Sequence, residues 1–519
     1  MAALLSLLAA AAVSTASPGD CSALLGTAGD VVVDRATAIP AGSAFRPDDT
    51  RTPYKAQPVS APFCRIEGRI EGTIGFELWL PMQWNGRLLG AGVGGDAGIF
   101  NYLDMSLRVG QGFATVTTDS GHKATDARWM RLPKARTDYE HRAVHLTAVA
   151  AKSLTARFYS RPVSHSYFTG CSGGGRQALK EMQVYPGDYD GVIAGAPGPN
   201  MPLQSVRMMW FALEAQRNGG AALTDADWSL YEQRVTAACD GLDGVTDGVI
   251  TNPLKCNFKT AALLCKPGQG QGCLSAPKLQ MLNAVISPMR DERGVAMDRG
   301  LFPAVRTRPG PPSPLLRAMW ADAVHDDADW DALKFRRTAD LAAVNRVMPQ
   351  LRADSTGISP FIAAGHRAII YQGWQDPSTN AGPTLDYYGA LARDNGGISR
   401  LSEAVRLFMV PGMYHCRGGP GADSFGASGH QPGSEDGSTD MLWALIRWVE
   451  HGIAPERIVA RKVAEKGSFT RPLCAFPKAA RLKKQVRPET YLNDTYDETD
   501  WTCEEDPALL QWPAAKFAR

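Results

Sequence analysis

The stretch Tyr167-Phe168-Thr169-Gly170-Cys171-Ser172-Gly173-Gly174-Gly175-Arg176 decides the fold class of this 519-residue chain. Its aromatic start is typical of a strand, its glycines of a tight turn, and the residues from 176 onward of a helix. Ser172 is the centre of a Gly-x-Ser-x-Gly pattern, and a serine at such a strained turn needs glycine neighbours to leave it room. The stretch predicts a nucleophilic hydroxyl above a sheet, beside the N–H of Gly173, which can stabilise an oxyanion. The alternative is an ordinary glycine-rich turn, because the chain contains 52 glycines.

Short apolar runs recur on both sides of this stretch. They lie at 87–91, 113–117, 166–169, 191–194, 368–372 and 405–410, and helical patterns occur at 139–158, 176–184 and 441–449. Strands that alternate with helices predict an α/β fold with a mostly parallel sheet covered on both faces. Before them, residues 66–80 alternate apolar with polar residues and glycines, which indicates half-buried antiparallel strands.

The strand–helix rhythm stops between Pro197 and about Gly365. This interval contains four of the ten cysteines, a proline cluster at 309–314 and aromatic segments around Trp320 and Trp330. We interpret residues 198–365 as an inserted lid domain. Residues 17–197 and 366–519 then form the α/β-hydrolase catalytic domain that the Gly-x-Ser-x-Gly turn predicts.

The composition narrows the possible partners. Hydrophobic residues make up 44% of the chain, and 55 Lys and Arg face 53 Asp and Glu, for a formal charge of +2. Such a chain is neither disordered nor fibrous, and it has no field suited to nucleic acid or to an acidic membrane. We expect a small or neutral molecule as its partner. Nothing in the sequence determines the oligomeric state.

The first 17 residues, MAALLSLLAAAAVSTAS, are apolar and too short to span a bilayer. They predict an export signal at 1–16, cleaved near Ala16, and therefore a secreted or periplasmic protein. The alternative is a short apolar helix. No later segment has the roughly 18 uninterrupted apolar residues of a transmembrane helix.

Ten cysteines without any Cys-x-x-Cys spacing predict disulfides in an exported chain. Sequence alone does not fix their connectivity. Proximity suggests four pairs and leaves the last two cysteines for each other. The suggested pairs are Cys21 with Cys64, Cys239 with Cys256, Cys265 with Cys273, Cys474 with Cys503, and Cys171 with Cys416.

A serine nucleophile needs a histidine to accept its proton and an acid to fix the tautomer of that histidine. His415 follows the predicted strand at 405–410, and Asp376 has the equivalent place one strand earlier. The order Ser172, Asp376, His415 is the one that α/β-hydrolases use. Taken singly, a loop histidine capping a carbonyl and an aspartate closing a turn are equally plausible. A competing hypothesis makes Cys171 a thiolate nucleophile with His415 as its base, and an oxidising compartment argues against it.

A set of motifs along nearly the whole mature chain resembles the tannase and feruloyl esterase family of secreted α/β-hydrolases, which includes the mono(2-hydroxyethyl) terephthalate hydrolases. The resemblance implies that Ser172, Asp376 and His415 form the triad, that Cys171 and Cys416 are bridged beside it, and that the N–H groups of Gly95 and Gly173 form the oxyanion hole. The motifs are Trp84-Asn85-Gly86-Arg87, Gly92-Val93-Gly94-Gly95, Thr118-Asp119-Ser120-Gly121-His122, Gly170-Cys171-Ser172-Gly173-Gly174-Gly175-Arg176, Tyr189-Asp190-Gly191, Gly195-Ala196-Pro197-Gly198, Asp386-Tyr387-Tyr388 and Pro411-Gly412-Met413-Tyr414-His415-Cys416.

A second candidate site is the segment at 239–250, CDGLDGVTDGVI, which has three carboxylates within eight residues. Like charges so close together repel one another, and a hard cation would relieve this. From the pattern alone, a solvated acidic turn is an equal alternative. The resemblance implies a structural Ca²⁺ in the lid. Its ligands would be the side chains of Asp240, Asp243 and Asp247 and the carbonyls of Val245 and Val249.

The resemblance implies hydrolysis of small esters of aromatic acids, of the feruloyl or galloyl type. The insertion is shorter than in the terephthalate half-ester hydrolases, which remain the alternative. Trp320, Trp330, Phe335 and Phe361 could stack on a substrate ring, although the core of the insertion is the simpler role. Arg317, Arg336 and Arg337 could bind a carboxylate, although surface solvation is simpler. A peptidase or amidase would use the same triad. A binding protein without activity would lack a catalytic residue, whereas all three triad candidates are present.

Overall fold

The computed structural model describes residues 19–42, 45, 58–59, 61–217, 222–307, 312–428, 435–464, 467–483 and 497–512. The predicted export signal at 1–16 lies outside these residues. Within the described ranges, no helix combines the length and apolar character needed to cross a bilayer.

A ten-stranded sheet is the centre of the molecule, and two small two-stranded sheets lie near the end of the chain. The large sheet has the order β1-β2-β3-β4-β6-β5-β7-β8-β9-β10, and the small sheets pair β11 with β12 and β13 with β14. The strands are β1 (Gly26–Ala28), β2 (Val31–Ile39), β3 (Phe63–Ile70), β4 (Ile74–Pro81), β5 (Arg87–Ala91), β6 (Ala114–Thr118), β7 (His165–Cys171), β8 (Gly191–Gly195), β9 (Arg367–Gly373), β10 (Val405–Val410), β11 (Arg457–Ala464), β12 (Gly467–Cys474), β13 (Lys478–Leu482) and β14 (Trp501–Glu505).

The helices lie between and after the strands. They are α1 (Tyr102–Val109), α2 (Pro133–Thr137), α3 (Ala143–Tyr159), α4 (Gly173–Val184), α5 (Met201–Arg217), α6 (Asp225–Cys239), α7 (Ala276–Ile286), α8 (Pro314–Ala318), α9 (Arg337–Val347), α10 (Ser359–Ala363), α11 (Ala381–Asp394), α12 (Ile398–Leu401), α13 (Met441–His451) and α14 (Pro507–Leu510). A π-helical turn at Asp138–Arg142 leads directly into α3.

The strands from β5 to β10 are parallel to one another, whereas β1 to β4 pair antiparallel, and β4 also pairs antiparallel with β6. In the parallel half, successive side chains point to opposite hydrophobic cores. Phe168 packs with α3, α4 and α11 on one face, whereas Tyr167 packs with α13 on the other. Because both faces are buried, these strands are almost wholly apolar. The predicted α/β-hydrolase fold is confirmed, together with the antiparallel strands expected at 66–80.

The long interval between β8 and β9 contributes no strand to the large sheet within the residues described there. Helices α5 to α10 occupy it, and Trp320, Trp330 and Phe335 are buried in a core that this interval shares with residues 93–139. Phe361 packs instead against the core of the sheet. All four aromatic side chains are therefore core residues. The division into a lid and a catalytic domain remains an interpretation of this arrangement.

Candidate active site

Ser172 lies at the junction of β7 and α4, where the chain turns sharply. Its φ of 61° and ψ of −123° are strained for a residue with a Cβ atom, at a cost of about 1–3 kcal/mol. The Ser172 N–H donates to the carbonyl of Gly195 at 2.9 Å, which fixes the turn against the neighbouring strand. The helix approaches so closely that a Cβ on Gly175 would lie 2.1 Å from the Gly195 carbonyl oxygen. The glycines after Ser172 are thus needed for this helix–strand contact.

Asp376 and His415 follow β9 and β10, at the same edge of the sheet as Ser172. His415 Nδ1 lies 2.8 Å from Asp376 Oδ2. Asp376 is fully buried, and its Oδ1 accepts from the backbone N–H groups of Ser378 at 2.8 Å and Thr379 at 2.9 Å. Its Oδ2 also accepts from the Thr379 hydroxyl at 2.7 Å. These donors fix the carboxylate, which in turn orients the imidazole.

Burial and Asp376 act in opposite directions on the pKa of His415, and the charge and hydrogen bond of Asp376 together outweigh burial. Burial lowers the pKa of the imidazole, but the Coulombic attraction and hydrogen bond of Asp376 raise the pKa above its ordinary value of 6.5. An imidazole with a raised pKa is a stronger base once it is neutral. This is the property that deprotonation of a serine hydroxyl requires.

A disulfide between Cys171 and Cys416 joins the residue before Ser172 to the residue after His415. The two Cα atoms are 5.9 Å apart, although 245 positions separate them in sequence. The bridge therefore keeps the serine turn and the histidine loop side by side. The other bridges join Cys21 with Cys64, Cys239 with Cys256, Cys265 with Cys273, and Cys474 with Cys503. All ten cysteines are paired, so the structure offers no thiol at Cys171 for the competing thiolate hypothesis.

The turn after β5, residues 92–95, packs against the start of α4. A Cβ on Gly173 would lie 3.1 Å from the carbonyl oxygens of both Val93 and Gly95. Gly95 has a φ of 63°, in the left-handed region that favours glycine. Gly173 is the first residue of α4, and the first N–H groups of a helix have no partner within it. The structure thus places Gly95 and Gly173, the two predicted oxyanion-hole residues, next to each other.

A cavity of about 460 Å³ opens beside the Asp376–His415 pair. Residues that flank the pair contribute to its wall, and the rest of the described wall comes from α5, α8 and the segment before α8. Its volume is within the range typical of small-molecule sites. The lining residues include Gln204, Met208, Phe211, Leu301, Leu316, Ser378, Asn380 and Tyr414.

Two arginines among the described lining residues already have carboxylate partners. Arg207 is buried and pairs with Asp298. Arg306 lies 3.5 Å from a carboxylate oxygen of Asp225 and 3.8 Å from one of Glu232. The three arginines singled out from the sequence lie elsewhere: Arg317 bonds carbonyls within its own segment, Arg336 is exposed, and Arg337 lies over the Trp210 ring.

The acidic segment forms a hydrogen-bonded loop. Asp240 accepts from the N–H groups of Asp247 and Gly248, Asp243 accepts from the Val245 N–H and the Thr251 hydroxyl, and Asp247 pairs with Arg471. Burial raises the pKa of the Asp240 and Asp243 carboxyls. Among the residues with described positions, no three His, Cys, Asp or Glu side chains are grouped as a metal site would require. The carboxylate oxygens of this loop suit a hard cation chemically. In the structure they accept hydrogen bonds from protein groups or pair with Arg471.

The sequence alone missed the residues that support the aspartate. Gln372 in β9 is fully buried, and its amide nitrogen lies 3.3 Å from Asp376 Oδ2 and 2.9 Å from the Thr379 carbonyl. Its side-chain oxygen accepts from the Thr384 hydroxyl at 2.8 Å. A signal was present, because a glutamine in an otherwise apolar predicted strand must find partners when buried.

A mostly parallel sheet with a strained serine turn after one strand, and an aspartate and a histidine after two later strands, defines an α/β-hydrolase. The model of the family described as "Tannase and feruloyl esterase" matches residues 59–304 and 316–491. A probable feruloyl esterase B from Emericella nidulans is 31% identical over 492 residues, which cover 91% of this chain and 92% of that protein.

Two solved structures are similar over almost their whole length. The crystal structure of an esterase from Aspergillus oryzae has a TM-score of 0.85 at 31% identity, covering 94% of this chain and 99% of that one. The crystal structure of feruloyl esterase B from the same organism has a TM-score of 0.84 at 28% identity, covering 92% and 97%. The chain belongs to the tannase and feruloyl esterase family of carboxylic ester hydrolases.

Proposed function

We propose that this protein is a secreted serine esterase that hydrolyses esters of aromatic acids, of the feruloyl or galloyl type. One observation carries the proposal: His415 is hydrogen-bonded to buried Asp376, and its neighbour Cys416 is bridged to Cys171, the residue before Ser172. The five disulfides support secretion, because disulfides persist in oxidising compartments.

The reaction proceeds by two acyl transfers. Ser172 Oγ attacks the ester carbonyl carbon while His415 Nε2 takes the hydroxyl proton, and the N–H groups of Gly95 and Gly173 stabilise the oxyanion. The bond to the alcohol then breaks, and the alcohol leaves with the proton from His415. Water attacks the acyl-enzyme in the same way, which releases the acid and restores the Ser172 hydroxyl. These steps need no organic cofactor.

The charges around the cavity support a neutral ester as substrate. Arg207 and Arg306, the cations among the described lining residues, already pair with carboxylates, so a substrate carboxylate would have to compete with Asp298, Asp225 and Glu232. This favours methyl ferulate or methyl gallate over a terephthalate half-ester, which has a free carboxylate. The relatives named feruloyl esterase B support the same choice.

The purified protein should hydrolyse methyl ferulate or methyl gallate with a kcat/KM at least tenfold above that for mono(2-hydroxyethyl) terephthalate. A chromogenic anilide of ferulic acid, measured beside these three esters, separates an esterase from an amidase. Faster turnover of the half-ester would overturn the substrate assignment in favour of the terephthalate alternative. Faster turnover of the anilide would favour a peptidase or amidase.

We also propose that the loop at 239–250 binds a structural Ca²⁺ through the side chains of Asp240, Asp243 and Asp247 and the carbonyls of Val245 and Val249. Burial of Asp240 and partial burial of Asp243 support this, because a cation would offset the cost of keeping these carboxylates charged. The ion would stabilise the interval between β8 and β9 and take no part in the reaction.

Addition of Ca²⁺ to chelator-treated protein should raise the Tm, since a ligand present at about 100 times its Kd adds about 2.7 kcal/mol to the free energy of unfolding. Asp243→Asn should abolish this increase. The matched control is Asp291→Asn, because Asp291 also accepts loop N–H groups in the same interval and belongs to no proposed site. An equal Tm with chelator and with Ca²⁺ would mean that the pairing of Asp247 with Arg471 holds the loop instead.

A further inference from the structure

The turn at 92–95 is held on both sides by buried side chains. The Tyr139 hydroxyl donates to the carbonyl of Gly95 at 2.9 Å, and the Gln177 side-chain oxygen accepts from the Val93 N–H at 3.0 Å. Both side chains are almost fully buried, with exposures of 2% and 3%. The two bonds hold the turn on either side of the N–H of Gly95.

These two anchors are tied to the helix that begins after Ser172. Gln177 belongs to α4, and so does Arg176, whose guanidinium donates to the carbonyls of Tyr139 at 2.9 Å and Glu140 at 2.6 Å. The guanidinium also lies over the Tyr139 ring, 5.0 Å from its centroid. The nucleophile turn and the turn at 92–95 are therefore fixed to each other through consecutive residues of one helix.

Gly95 needs such an anchor because its backbone is intrinsically free. Glycine populates positive φ without steric cost and rotates its peptide planes readily. Oxyanion stabilisation depends on donors that are already aimed at the developing charge and need no reorganisation during the reaction. Burial raises the pKa of Tyr139, which keeps its hydroxyl protonated and able to donate.

We infer that Tyr139 is a positioning residue of the oxyanion hole: its hydroxyl fixes the Gly95–Asp96 peptide, and this holds the adjoining Gly94–Gly95 peptide so that the Gly95 N–H points at the substrate oxyanion. Gln177 fixes the other side of the same turn. The inference rests on the proposed esterase mechanism and adds the residues that hold one of its two donors in place.

The test compares Tyr139→Phe with Tyr159→Phe. Tyr159 is an equally buried tyrosine whose hydroxyl donates to the carbonyl of Pro81, away from the turn. Each variant loses one buried hydroxyl–carbonyl bond, so both should lower the Tm by a similar amount. Tyr139→Phe alone should lower kcat, about tenfold, with KM within twofold of wild type, since complete loss of an oxyanion donor costs about 10²–10³.

An arylboronic acid, which forms a tetrahedral adduct with a serine, adds a second readout. Its Ki should rise about tenfold in Tyr139→Phe, whereas the Kd of the product ferulate should not change. Gln177→Leu should give the same pattern and replaces Tyr139→Phe if that variant does not fold. Equal kcat in Tyr139→Phe and Tyr159→Phe would overturn the inference while the esterase assignment stands. A wild-type protein without turnover of any ester would instead overturn the proposed function.

Discussion

Ser172→Ala should reduce kcat for methyl ferulate by about 10⁵–10⁶, because removal of a catalytic serine leaves only the contributions of binding and of the oxyanion hole. The fold should be retained. Alanine has the same Cβ as serine, so the strain at a φ of 61° is unchanged. The residual rate and the Tm, measured on the same preparation, check both parts of this expectation.

Ser166→Ala is the matched control for the nucleophile. Ser166 lies on the same strand, β7, and its hydroxyl bonds the carbonyl of Asp188 and the side chain of Asp190, both at 3.0 Å. Its loss should lower the Tm by a few degrees and leave kcat within twofold of wild type. Retention of more than a hundredth of the wild-type activity in Ser172→Ala would show that another group attacks the ester.

Local patterns were sufficient to predict the part of the fold that supports the site. The parallel strands are short apolar runs, and each ends at the sheet edge where Ser172, Asp376 or His415 follows. The small sheets formed by β11 to β14 were not predicted. Their strands mix charged and apolar residues, so no regular pattern marks them. The structure pairs β11 with β12 in a hairpin and β13 with the later β14, and the Cys474–Cys503 bridge joins the two small sheets.

The wall of the cavity could not be predicted from the sequence, because it depends on contacts between distant residues. Arg207 pairs with Asp298, 91 positions later, and Tyr414 donates to Glu232 across 182 positions. No local pattern marks these pairs. Arg317, which appeared suitable in the sequence, bonds carbonyls of its own segment instead.

Asp376→Asn should lower kcat by about 10³–10⁴, because an amide cannot stabilise the imidazolium that forms on His415. The acid limb of the pH–rate profile should also move. In the wild type, Asp376 raises the pKa of His415 above 6.5, so activity falls as the pH drops through this raised value. Without the carboxylate, burial alone acts on His415 and lowers its pKa, and the remaining activity should persist to a lower pH.

The asparagine also changes the hydrogen bonds around the site, and a control must separate this effect. Both oxygens of Asp376 accept from protein donors, so the new NH₂ group would face a donor and destabilise the fold by about 1–3 kcal/mol. Asp440→Asn produces the same loss at a fully buried aspartate that caps α13 and pairs with Arg108. The Tm of the two variants should fall by similar amounts. Only Asp376→Asn should have a lower kcat and a shifted acid limb of the pH–rate profile. An unshifted acid limb in Asp376→Asn would mean that the group titrating in the wild type is not the histidine paired with Asp376.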